Sequence, residues 1–227
     1  MPIPNADSYV AAVRHLAMAD ARMAALIDRV GACRLGVAAS EAAPSAEPLY
    51  KEDHYAGLVD AIVNQQLSPK AASTIFGRVR ALGLDGEGRL NPAKLLAVPE
   101  ARLREAGLSG SKVSFIRDLS ARVHRRELVL EALEAESDDA VVANLCQVKG
   151  IGRWTAEMFL IFRLGRLDVL PVGDLGVQKG FVKLFGLRKI PPPERMEKLS
   201  RPFRPYRSVA CWYLWRLNEE KPAASAR

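Results

Sequence analysis

In YAGLVDAIVNQQL, residues 55–67, the apolar positions Leu58, Val59, Ile62, Val63 and Leu67 return at intervals of three and four, the spacing that gathers side chains on one helix face. This period dominates the chain and narrows the folds open to it more than any other feature. Ser68-Pro69 reads as N-cap and first residue of a second helix through AASTIFGRVRALG, and Asn91-Pro92 repeats the device before AKLLAV. SKVSFIRDLSARVH, RELVLEALEA, SDDAVVANLC and YRSVACWYLWRL read as further helices; in the third, Ser137 is the cap and Asp138 and Asp139 lie where the helix dipole favours acids. Alternating β-branched runs are scarce, and Pro171 interrupts DVLPV, so the predicted fold class is all-α.

Several function classes fall away on composition. With 49% hydrophobic and 26% charged residues, neither a disordered nor a fibrous chain is expected. Asn5, Asp7, Arg14, His15 and Asp20 break up any apolar run long enough for a signal peptide or membrane span, which predicts a cytoplasmic protein with no membrane partner. A net charge of +7 suits a polyanion. Cys33, Cys146 and Cys211 are odd in number and far apart, so they read as reduced, buried thiols. His15, His54 and His124 have no metal-ligand spacing. No organic cofactor or obligate oligomer is expected, which leaves a monomer. ASEAAPSAEPLY at 39–50 reads as a linker and GLRKIPPPERM at 186–196 as an irregular segment.

VKGIGRWTAEMFLIF, residues 148–162, places Gly150 and Gly152 between two helices. Glycine opens φ values closed to other residues and leaves its amide uncovered, so the pair before a helix start makes a cradle for phosphate, flanked by Lys149 and Arg153. Such a cradle grips backbone and not bases. The alternative is a glycine-capped helix and a tight turn with no ligand; the helices on both sides, the basic chain and the following Trp154 and Thr155 favour the cradle. Asp174 opens LGVQKGFVKLF, where a helix N-terminus favours a carboxylate anion. It is either an N-cap alone or an N-cap with a chemical task.

Taken in order, VKGIGRWTAEMFLIF, DVLPVGDLGVQKG and FRPYRSVACWYLWR, with NQQLS at 64–68 and AGLSGSKVSFIRDLS at 106–120, resemble the helix-hairpin-helix superfamily of DNA glycosylases, within it the alkylation-repair branch, 3-methyladenine DNA glycosylase II. The resemblance spans roughly residues 55 to 217 and implies two helical subdomains with a DNA-binding cleft between them. One would hold residues 55–163 and the other both 1–54 and 164–227. It implies a monofunctional enzyme that flips an alkylated base out of double-stranded DNA at the nucleoid, hydrolyses its N-glycosidic bond and leaves an abasic site. Asp174 matches the essential carboxylate, which stabilises positive charge on the sugar. Trp154 and Tyr206 match pocket aromatics, whereas Met158 and Leu175 stand where further rings are expected; Trp212 and Trp215 read as packing residues. Trp154 occupies the position of the lysine that forms a Schiff base in bifunctional relatives, so no strand cleavage is expected. Lys149, Gly150, Ile151, Gly152, Arg153 and Thr155 would contact DNA. Gln66 or Leu67 would be the wedge, with Leu67 also continuing the buried face of 59 and 63. The backbone carbonyls of Cys146, Val148 and Ile151 would hold a structural Na+ or K+. Two rivals stay open: a non-enzymatic helix-hairpin-helix DNA-binding module, and a glycosylase for another damaged base.

Overall fold

A computed structural model describes residues 6–35 and 53–219. Among them twelve α-helices follow one another: α1 (Ala6–Ala19), α2 (Ala21–Val30), α3 (His54–Asn64), α4 (Pro69–Leu82), α5 (Pro92–Ala97), α6 (Glu100–Glu105), α7 (Gly110–His124), α8 (Asp138–Leu145), α9 (Arg153–Phe162), α10 (Leu175–Phe185), α11 (Pro193–Ser200) and α12 (Arg207–Glu219). The extended pairing among the described residues is a single antiparallel bridge, Leu84 to Leu90. No described helix is long and apolar enough to cross a membrane. The linker expected at 39–50 lies outside the described residues.

The helices divide into two compact units, residues 53–159 and residues 6–35 with 160–219. In the first, Leu58, Val59, Ile62 and Val63 of α3 are wholly buried, as the three-and-four spacing predicts, together with Val79 of α4 and Ile116 and Leu119 of α7. Ser68 and Asn91 cap α4 and α5 by accepting the N–H groups of Ala71 and Lys94, each cap worth about 1 kcal/mol. In the second unit α10 packs on α12. Gly180 makes that approach possible, because a Cβ there would stand 2.6 Å from Leu214 Cβ. The start of α12 is fixed by Arg207, buried, which reaches Asp168 Oδ1 at 2.7 Å and Glu197 Oε2 at 2.9 Å.

Four sequence expectations need correction. The α3 period does not run to residue 67: the helix stops at Asn64 and Leu67 is 38% exposed. RELVLEALEA is not an α-helix but a 3₁₀ turn over Leu130–Glu134, entered through Arg126 at φ 59°; its apolar side chains pack on α3 instead of following a 3.6 period. α11 begins inside the segment expected to be irregular, with Pro193 in its first turn. Of the cysteines only Cys211 is buried, while Cys33 is half-buried and Cys146 exposed. The sequence reading also left α1 and α2 unassigned, although Asp20 caps α2 by accepting Arg22 N–H at 2.8 Å.

Candidate active site and DNA interface

The hairpin between α8 and α9 is built from both of its apolar residues inward. Val148 and Ile151 are buried, and the Ile151 N–H closes the turn on Val148 O at 3.1 Å. Gly150 sits at φ +79°, and a Cβ there would overlap the ring of Phe115 on α7. The position therefore demands glycine twice, for backbone conformation and for space. Gly152 does not have positive φ, and nothing lies within 4 Å of a Cβ built on it.

Side chains from α3 and α7 hold this hairpin. Asp118 Oδ2 accepts the Lys149 N–H at 3.0 Å and Arg122 Nε at 3.0 Å. Burial pushes the Asp118 carboxyl up, but those two donors outweigh it and hold it below the usual carboxylate value. Gln65 Nε2 donates to Gly150 O at 2.8 Å. From Val148 to Gly152, the amides of Val148, Lys149 and Ile151 are committed internally, whereas the Gly150 and Gly152 N–H groups take no acceptor among the described residues. These two, beside the exposed Lys149 side chain, are the donors an anion would meet.

In the second unit Asp174 is the N-cap of α10. Its Oδ1 accepts the Val177 N–H at 2.7 Å and the indole Nε1–H of Trp215 at 2.8 Å. Gly176 lets Trp215 come this close, since a Cβ there would lie 2.7 Å from the indole. Phe162 stacks on Trp215 with centroids 5.6 Å apart. Asp174 is buried, with 9% of its surface exposed, while the next residue, Leu175, is 53% exposed and Phe162, stacked on Trp215, is 55% exposed. Tyr206 is half-buried and meets His15 of α1 edge-on at 5.3 Å; His15 Nε2 donates to Pro202 O at 3.0 Å. The arrangement is a carboxylate whose Oδ1 is held by a helix amide and an indole N–H.

The pattern of the HhH-GPD superfamily of base excision DNA repair proteins matches residues 59–205, which include the hairpin and Asp174. The chain belongs to this superfamily. It is similar to the alkylbase DNA glycosidase-like protein mag2 of Schizosaccharomyces pombe, 31% identical over 93% of this chain and 94% of that one. It is 35% identical to DNA-3-methyladenine glycosylase 1 of the same yeast over 74% of each chain. Among solved structures, the S. pombe 3-methyladenine DNA glycosylase Mag1 in complex with abasic DNA has a TM-score of 0.72 at 30% identity, covering 92% of this chain and 97% of that one. A DNA-3-methyladenine glycosidase from Bacillus halodurans has a TM-score of 0.77 at 37% identity, covering 92% and 91%.

Trp154 is 50% exposed and so is not a core residue, and Met158 is half-buried. Gln66 and Leu67 are both exposed on the turn between α3 and α4, Gln66 at φ 58°. Ile151 and Thr155 are buried, so their side chains do not face a DNA strand and only their backbone is available. Arg153 is not a free charge, because its Nε holds Glu157 Oε1 at 2.8 Å. Trp154 belongs to the first unit, and Asp174, Leu175 and Tyr206 to the second. Trp215, expected to pack, does stack on Phe162 and also holds the carboxylate; that partner lies 41 residues away and no local pattern announces it. Of the carbonyls expected to hold an alkali cation, that of Val148 accepts the Ile151 N–H and keeps a second lone pair. No cluster of three His, Cys, Asp or Glu side chains fit for a metal occurs among the described residues.

Proposed function

We propose that the protein is a monofunctional DNA glycosylase for alkylated purines of the 3-methyladenine and 7-methylguanine type in double-stranded DNA. Asp174 carries the reading: an anion whose Oδ1 is fixed by Val177 and Trp215 is a preorganised group for a cationic sugar. As the C1′–N bond breaks, positive charge spreads over the deoxyribose, and the carboxylate stabilises it and orients the water that attacks C1′. Water supplies the new C1′ oxygen and releases a proton to solvent, and the departing base leaves with the bond's electron pair. An N-alkylated purine is already cationic, so it departs neutral without a strong general acid. The same positive charge draws it to an exposed aromatic face such as Trp154.

The remaining residues take the other parts of the task. The Gly150 and Gly152 amides and Lys149 grip the phosphates; the backbone carbonyls of Cys146, Val148 and Ile151 would hold an alkali ion, which would add positive charge to the hairpin. Gln66 or Leu67 fills the gap left by the flipped nucleotide, whose unstacking costs a few kcal/mol. Tyr206 offers an aromatic ring on the second unit. Met158 of the first unit and Leu175 of the second both lack flat rings, and the enzyme accepts lesions beyond the usual alkylpurines. The names of the relatives support the substrate class. With Trp154 in place of a nucleophilic amine, no Schiff base forms. The test is chromatography of free bases released from methylated DNA, with borohydride trapping alongside. Released alkylpurines without a trapped adduct are expected. Binding without release would identify a DNA-binding module instead, a trapped adduct would identify a lyase, and release of 3-methyladenine alone would remove the wider lesion range.

A further inference from the structure

We propose that Lys112 and Gln65 are positioning residues that hold the turn after α3 in its inserting shape and lock it to the phosphate-gripping hairpin. This rests on the reading that Gln66 or Leu67 enters the duplex. Lys112 Nζ donates to Val63 O at 2.8 Å and to Gln65 O at 2.7 Å. One ammonium thus holds carbonyls on both sides of Asn64, where α3 ends and its last carbonyls lose their helical partners. A cation at this end also complements the helix dipole. Burial pulls the Lys112 pKa below its usual value, so the ammonium is placed here at a cost.

What the cation secures is the next residue. Gln66 adopts φ 58°, a conformation that costs a residue with a Cβ about 1 kcal/mol and persists where its surroundings impose it. Gln65 then carries the constraint across to the hairpin through its Nε2 bond to Gly150 O, at the glycine whose own N–H is available to phosphate. The backbone of this turn is pinned from two sides while the side chains of Gln66 and Leu67 stand in solvent. A turn that served packing would bury Leu67. A rigid backbone presenting exposed side chains lowers the ordering cost of inserting them, and its tie to Gly150 sets the insertion point relative to the gripped phosphates.

The test uses the full chain at saturating concentration on a duplex carrying a tetrahydrofuran abasic analogue with 2-aminopurine beside it. Wild-type protein is expected to raise the fluorescence as the wedge unstacks the probe. Lys112→Met and Gln65→Met, verified as folded by circular dichroism, should lose most of that rise and, on a separate methylated duplex, slow base release at least about tenfold, the effect of one hydrogen bond left unmade in Gln65→Met and two in Lys112→Met. Lys112→Arg, which restores two donors, should recover both. Should Lys112→Met not fold, Gln65→Met and Lys112→Arg still decide the matter. A full rise with the Met variants, or an equal loss with Lys112→Arg, would overturn the positioning role. Absence of base release by wild-type protein would overturn the glycosylase reading, while the fluorescence still decides the role of the turn.

Discussion

Gly150→Ala separates the structural from the ligand-facing glycine of the hairpin. Holding alanine at φ +79° costs about 1 kcal/mol. Its methyl would overlap the Phe115 ring, and Phe115 cannot swing away freely because α7 is anchored by Val113 and Ile116 on either side, both buried. Overpacking of that kind adds about 1–3 kcal/mol, so the sum is about 2–4 kcal/mol out of a domain stability of about 5–15 kcal/mol. With a urea slope of about 2 kcal/mol/M, the unfolding midpoint followed by far-ultraviolet circular dichroism should fall by about 1–2 M. Gly152→Ala meets nothing within 4 Å and should stay within about 0.5 kcal/mol of the parent. Its methyl nevertheless stands where phosphate would approach, so it should weaken DNA binding. Equal destabilisation by both changes, or a Gly150→Ala protein as stable as its parent, would refute the reasoning.

Two further outcomes follow from the same geometry. Trp215→Phe keeps a ring against Phe162 but removes the donor 2.8 Å from Asp174 Oδ1; losing a hydrogen bond to a charged group, about 1.5–3 kcal/mol, should slow single-turnover base release about tenfold to a hundredfold, and an unchanged rate would count against Trp215 as the holder of the carboxylate. Asp118 has a carboxyl held below its usual value, so its contribution to stability is complete above about pH 4, where an unfolded aspartate is ionised, and fades as pH falls through the lower folded value. The stability gap between wild type and Asp118→Asn in urea titrations should therefore be level near neutrality and shrink below about pH 4; a gap that widens on acidification would contradict the assignment.

What was legible in the sequence was whatever local chemistry writes down. Ser68, Asn91 and Ser137 announced their helix starts because a cap is a short-range bond to the third residue on, and the α3 face was visible because burial follows the helical period. Asp174 at the head of α10 was legible for the same reason. The period failed at Leu67, where Lys112 and the left-handed Gln66 end the helix from outside it. It failed again at 126–135, where α3 decides which leucines are buried. Of the two hairpin glycines, only Gly150 has a positive φ, and what also denies it a Cβ, the Phe115 ring, lies 35 positions away in sequence. Trp215 on Asp174 and Gln65 on Gly150 are likewise tertiary pairings that no window of sequence contains.

Asp174→Asn probes the carboxylate's charge with least disturbance to its surroundings. Asparagine keeps an oxygen for the Val177 and Trp215 donors and is as good an N-cap as aspartate, so the fold and the grip on abasic duplex should stay close to the parent. Base release in a single turnover on methylated duplex should drop by about a hundredfold to a thousandfold, the usual consequence of removing one preorganised electrostatic group. An Asp174→Asn protein that frees alkylpurines at the parental rate would contradict the account at its centre.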